Sequence, residues 1–118
     1  LSFFNAYKIE KFKIVTNKST NDKTIKTIKE DLINVIADEN GTGHSIFHDN
    51  VILAGKTGTA EIKQSKDDTE GTEIGWFNAF NVGESDESLL LVVSMVENVK
   101  GKGGSHYLLP KVRAIFAQ

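Results

Sequence analysis

The residues with the most chemical capacity lie in one short stretch, Val51 to Lys63, which reads V-I-L-A-G-K-T-G-T-A-E-I-K. An apolar β-type run leads into two glycines three residues apart, with Lys56, Thr57 and Thr59 between and just after them. Side chains alternate along a strand, so Thr57 and Thr59 share a face, and Gly58 between them offers no side chain to obstruct a ligand lying along the backbone. Two hydroxyls and a nearby ammonium make a small anion site. A carboxylate suits it, because a charged acceptor forms shorter and stronger hydrogen bonds than a neutral one. If the strand is also a sheet edge, its unpaired N–H and C=O groups can pair with an extended peptide. Lys-Thr-Gly on its own is equally compatible with a plain strand carrying a bulge.

Such a site needs a sheet, and the sheet needs something to pack on. Ile74 to Phe80 (I-G-W-F-N-A-F) reads as a second strand, with Trp76 and Phe80 on one face and Phe77 on the other. Ser88 to Val96 reads as a third, setting Leu89, Leu91, Val93 and Met95 against Leu90, Val92 and Val96. Strands apolar on both faces call for cover on both. Gln64 to Glu73 between the first two strands is polar, acidic and long for a hairpin, a type of loop that is usually mobile or functional. Upstream, Ile25, Ile28, Leu32, Val35 and Ile36 recur at separations of three and four, which predicts a helix over 22–38. Ser19 to Asp22 can cap its start, and Asn40-Gly41 ends it. Lys8 to Val15 reads as a short or irregular strand. Beyond the glycines at 101, 103 and 104, Leu108, Leu109, Val112, Ile115 and Phe116 form a closing amphipathic helix that confines Pro110 to its first turn. The resulting fold class is α+β, an antiparallel three-stranded meander with an N-terminal and a C-terminal helix packed on it.

Composition narrows the function. The 118 residues suffice for one small domain with one modest core, and 39% hydrophobic with 25% charged residues is ordinary for a folded chain. The longest apolar run, Leu89 to Val93, is far short of the roughly 20 residues that span a bilayer, and no signal peptide is visible. Residues 1–29 hold seven lysines against Glu10 and Asp22, whereas residues 61–87 hold eight acids against Lys63 and Lys66. Neither half is extreme, and a pI near 5.9 argues against a nucleic-acid partner. There is no cysteine, hence no disulfide or thiolate site. His44 and His48 stand four apart, a spacing that would suit a metal on a helix, but Gly41, Gly43 and Asn50 argue for a loop and no third ligand accompanies them. No metal and no other cofactor is expected. The first residue is Leu1 and not methionine, which suggests a piece of a longer protein.

From about Phe12 onward the motifs fall in a familiar order. Ala54-Gly55-Lys56-Thr57-Gly58-Thr59-Ala60-Glu61, then Gly75-Trp76-Phe77, a strand reaching Val96, and Gly103-Gly104-Ser105 before a last helix resemble the C-terminal end of a class B high-molecular-weight penicillin-binding protein. Glu61 after Thr-Ala favours a transpeptidase over the related serine β-lactamases and β-lactam sensors. Such enzymes are serine acyltransferases with a Ser-x-x-Lys nucleophile and base, a Ser-x-Asn element, and Lys-Thr-Gly on a strand at the active-site edge. The resemblance implies that Lys56 supplies positive charge and a bond toward the Ser-x-Asn serine. Thr57 and Thr59, with Gly58 between them, would bind the carboxylate of a D-Ala-D-Ala stem peptide or a β-lactam. The backbone N–H of Thr59 would be one of two oxyanion-hole donors. It further implies a parent protein anchored at the outer face of the bacterial cytoplasmic membrane by a segment outside these residues.

The sequence also departs from that pattern. No Ser-x-x-Lys occurs in it, and Ser19-Thr20-Asn21 matches Ser-x-Asn at a place where helix capping explains it better. Residues 1–118 are therefore expected to be a single C-terminal fragment of a transpeptidase domain, inactive alone. The alternatives are a fragment of a β-lactam sensor and a small non-enzymatic interaction module, the latter favoured if the Lys56 strand lies in the middle of its sheet. In the family the strand corresponding to Leu89–Val96 is interior, so its edge is expected to be open here. Self-association is the anticipated result, either through paired Leu89–Val96 edges or with Lys8–Val15 folded back onto that edge.

Overall fold

The computed structural model describes residues 21–83 and 89–117. Lys8–Val15 and Ser19–Thr20 lie outside the described residues. In chain order come helix α1 (Asp22–Ala37), a 3-10 turn (His44–Ile46), strands β1 (Leu53–Ile62), β2 (Thr72–Asn81) and β3 (Leu91–Val96), a second 3-10 turn (Gly104–Leu108) and helix α2 (Leu109–Phe116). The sheet is an antiparallel meander of order β1-β2-β3, so the fold is α+β with a helix before and after the sheet.

Helix α1 starts at Asn21, whose side-chain carbonyl accepts from the Thr24 N–H at 2.8 Å and from the Thr24 hydroxyl at 3.0 Å. A cap of this type is worth about 1 kcal/mol. The helix stops one residue short of the expected end, at Ala37, with Asp38 already extended. The chain then doubles back so closely that a Cβ at Gly41 would stand 2.3 Å from the Val35 carbonyl oxygen. The Gly43 N–H donates to that same carbonyl at 2.8 Å. At the other end, Pro110 sits in the first turn of α2, where its missing N–H costs nothing.

One face of the sheet carries the core. Phe77 and Ala79 are fully buried, and with Leu53 they pack against Ile36 of α1, Ile46 of the first 3-10 turn, and Leu108, Leu109 and Val112 around α2. Ser94 lies on this inner face too, and its hydroxyl donates to the Phe77 carbonyl. The opposite face is less covered than its composition led one to expect. Trp76, Leu91, Val93 and Met95 project there and are exposed, Leu91 by 63%. The α1 stripe behaves similarly: Ile36 is buried and Val35 packs on the core, but Ile25 and Ile28 are exposed. Both helices lie against the inner face, and only the second half of α1 reaches the core.

The connection between β1 and β2 is held from within. The Asp68 carboxylate accepts from the N–H groups of Gln64 at 3.0 Å, Glu70 at 2.8 Å and Gly71 at 3.0 Å, and Lys100 donates to the Thr69 carbonyl. The Gln64 and Glu70 hydrogen bonds hold the Asp68 carboxyl below the usual carboxylate range. A carboxyl whose pKa is lowered on folding lends its support above the unfolded value of about 3.9, and that support fades as pH falls through the lower folded value. Gln64 is held by Oδ2 alone, whereas Glu70 and Gly71 share Oδ1. Asp68→Asn retains one carbonyl oxygen for three donors, so amide exchange near neutral pH should accelerate at Gln64 while β1 and β2 keep their protection. Unchanged exchange at Gln64 would refute the assignment.

Candidate functional site

Among the described residues strand β1 is at the sheet edge, paired with β2 through Leu53↔Asn81, Gly55↔Ala79, Thr57↔Phe77 and Thr59↔Gly75. The same register continued places Ile52 opposite Val82, and the Val82 N–H donates to the Ile52 carbonyl at 2.8 Å. Antiparallel partners alternate between exchanging both bonds and exchanging none. The even positions of β1 therefore bond to β2. Gly55, Thr57, Thr59 and Glu61 turn their N–H and C=O groups to the open edge.

The side chains divide between the two faces. Thr57 and Thr59 share the inner face, as alternation requires, and Lys56 projects from the outer one. The ammonium nonetheless comes to the edge: Lys56 Nζ donates to the Thr57 carbonyl at 2.6 Å. Ligand-binding capacity from both faces thus converges on the margin of β1, with Gly58 leaving the outer face open between Lys56 and Ala60.

Two residues that the sequence did not single out in this role hold the threonines. Thr42 Oγ1 lies 3.1 Å from Thr57 Oγ1, and the Ser105 N–H donates to Thr59 Oγ1 at 3.1 Å. A hydroxyl has one hydrogen to give and two lone pairs to accept with. Thr59 accepts from Ser105 and so keeps its hydrogen for an anion. The Thr42–Thr57 pair spends one of its two hydrogens on the mutual bond and keeps the other. Thr42 stands between Gly41 and Gly43, and its only sequence signal was that flexibility. Ser105 was visible only as part of Gly103-Gly104-Ser105.

That glycine pair makes the second contact possible. Gly103 and Gly104 have φ of 90° and 61°, a region unfavourable to residues with a Cβ. At Gly104 a Cβ would also lie 2.9 Å from Thr59 Oγ1. The absence of that atom brings the Ser105 N–H, itself in a buried residue, against β1.

Glu61 and Lys63, at the far end of β1, form an exposed ion pair of 2.7 Å that raises the Lys63 pKa through the hydrogen bond and charge of Glu61. His44 and His48 take up separate local positions. His44 Nδ1 is 3.0 Å from the Ile36 carbonyl oxygen, with its ring stacked on Phe47, and His48 pairs across a tight turn with Val51.

The chain matches the family described as penicillin binding protein transpeptidase domain over residues 5–117. It is similar to Penicillin-binding protein 3 of Bacillus subtilis, at 44% identity over 89 residues. That alignment covers 75% of this chain and 13% of the relative, so the chain spans about an eighth of that protein's length.

The Gly104 contact gives a direct test of how the Thr59 hydroxyl is held. Gly103→Ala meets only an ordinary contact with His106 at 4.0 Å and suffers its backbone strain alone, whereas Gly104→Ala adds a collision with Thr59 Oγ1. Both should lower the thermal midpoint, by about 1 kcal/mol in stability for Gly103→Ala and more for Gly104→Ala. Only Gly104→Ala should shift the amide resonances of Gly58 to Ala60. Equal perturbation of β1 by the two variants would contradict the assignment.

Proposed function

The chain belongs to the penicillin-binding protein transpeptidase family, and on that premise we propose that it is the C-terminal part of a serine D,D-transpeptidase that cross-links peptidoglycan stem peptides. The observation that carries this reading is the edge position of Lys56-Thr57-Gly58-Thr59, with the odd-numbered backbone groups facing outward. An edge position also disfavours a mere interaction module with an accidental Lys-Thr-Gly, for which an interior strand was expected.

In the proposed reaction a serine outside this chain attacks the penultimate D-Ala carbonyl of a stem peptide, D-Ala leaves, and the acyl group passes to an amine of a neighbouring stem. The residues present here bind and stabilise. Thr59 donates its free hydroxyl hydrogen to the terminal carboxylate, Thr57 does the same with Thr42 as the donor in their mutual bond, and Gly58 between them keeps the outer face of the strand clear. Lys56 contributes its positive charge beside them. The Thr59 N–H is directed to the open edge, where it serves as one oxyanion-hole donor; loss of one such donor costs on the order of 10²–10³ in rate. A β-lactam presents the same carboxylate and an acylating carbonyl, so it occupies the same groups. The parent acts at the outer face of the cytoplasmic membrane, where cross-linking takes place.

Since the sequence holds no Ser-x-x-Lys, fluorescent penicillin should leave no covalent adduct on this chain alone, while labelling the intact protein. A hydrolysis-sensitive acyl adduct on any serine of the isolated chain, seen by mass spectrometry, would overturn the proposal.

Self-association of the isolated chain follows from its other edge. Among the described residues nothing pairs with β3 on its far side, and Leu91, Val93 and Met95 are exposed beside it. Such an edge is a template for a second copy, most simply antiparallel across a two-fold axis. Sedimentation at low micromolar concentration should report a dimer or larger species. A monomer whose Leu91–Val96 amides exchange freely would eliminate this arrangement.

A further inference from the structure

Asn78 occupies the middle of the sheet's outer face. Its register partners are Lys56 on β1 and Val93 on β3, and Trp76 and Phe80 flank it along β2 on the same face. Its Oδ1 is buried, yet has no hydrogen-bond partner among the described residues. A buried carbonyl without a donor bears its full desolvation cost, which an apolar side chain at the same place would avoid. Phe80 and Val93 have no side-chain donor, and the single N–H of Trp76 makes no bond to Asn78 Oδ1.

Lys56 can supply a donor. Directly opposed residues on one face hold their Cβ atoms about 4.5–5.5 Å apart, a gap that a lysine side chain spans with its three donors. In this structure the ammonium leans the other way, to the Thr57 carbonyl 2.6 Å off at the open edge. That carbonyl is also one of the groups an extended peptide must bond in order to add to β1. A peptide N–H that takes this carbonyl competes with Lys56 for it and weakens its hold on the ammonium, and Asn78 Oδ1 is the buried, unpartnered acceptor on the residue directly opposite.

We propose that Asn78 is a positioning residue for Lys56: docking at the β1 edge transfers the ammonium from the Thr57 carbonyl to Asn78 Oδ1, which fixes it over the outer face. This role rests on the reading of Lys56 as part of a transpeptidase site. The exchange makes the open edge self-protecting, since Lys56 covers the Thr57 carbonyl only until a ligand supplies a better-placed donor.

The test uses the intact transpeptidase and its acylation rate with fluorescent penicillin, whose acylamino N–H is a donor suited to the edge. Asn78→Leu removes the acceptor at similar volume. It should slow acylation about ten-fold to a hundred-fold, the range for a hydrogen bond to a charged group, at an unchanged or higher thermal midpoint. Asn78→Asp keeps the acceptor and should restore most of the rate. In a Lys56→Ala background, Asn78→Leu should cost nothing further, because the two residues act as a unit. A normal rate in Asn78→Leu, or losses that multiply with those of Lys56→Ala, would overturn the proposal. Should Asn78→Leu fail to fold, Asn78→Ala gives the same readout with less bulk. Full activity in Lys56→Ala would sink the transpeptidase reading of Lys56 itself, whereas an impaired Lys56→Ala beside a normal Asn78→Leu removes only the role of Asn78.

Discussion

The register of β1 on β2 is the constraint on which everything else depends. Thr57 and Thr59 can turn their backbone groups to the edge only because Ile52, Ala54 and the following even positions are engaged with β2. A slip of one residue would exchange the two sets and move every side chain to the opposite face. Two glycines and one ring prevent it. Phe77 fills the inner face opposite Thr57, and Gly55 and Gly75 admit their neighbours so closely that a Cβ at either would stand 3.0 Å from Ile36 or Val99. A slip would bring Lys56 or Trp76 into those places. Packing on one face thus determines which hydrogen-bonding groups are free at the edge.

Around that edge the chain is assembled from remote pieces. Thr42 comes from the return after α1, and Ser105 from the turn before α2. Each reaches a threonine of β1 through glycine: Gly41 and Gly43 press the first segment against the end of α1, and Gly104 lets the second approach Thr59. These contacts tie the hydroxyls to the same core that holds Ile36, Ile46 and Leu108. The hydroxyls are therefore oriented before any ligand arrives, which is the condition under which binding groups contribute most to a developing charge.

Much of this was legible in the residues. The spacing of Ile25 to Ile36 gave α1, the sequence I-G-W-F-N-A-F gave β2 with Trp76 and Phe77 on opposite faces, though not which of them is inward, and Pro110 marked the start of α2. The placement of Lys-Thr-Gly at an edge followed from meander order. Periodicity could not tell which half of α1 meets the core, because Ile25 and Ile28 carry the same pattern as Val35 and Ile36. It also overstated the cover on the outer face, since apolarity on both sides of a strand records a preference for burial and not the presence of a layer. Thr42, Ser105 and Asn78 escaped for a different reason: a threonine, a serine backbone N–H and an asparagine have no signature until the fold supplies a partner or withholds one.

The meander also bears on how such a unit can form in time. Each strand pairs with its neighbour in the chain, and α1 packs on the strand that follows it, so most loops to be closed are short and their entropic cost is small. Folds rich in such local contacts reach their native state faster than those built from distant pairings. The contacts of α2 and the turn before it with Ile36, the 3-10 turn at Ile46 and β1 join segments that precede the meander or open it to one that follows it, and they must await the whole sheet. Ser105 is delivered to Thr59 by the turn leading into that helix. The last closure of the fold is thereby the step that completes the arrangement of hydroxyls on β1, and a chain arrested before it would hold a formed hairpin with an unfinished site.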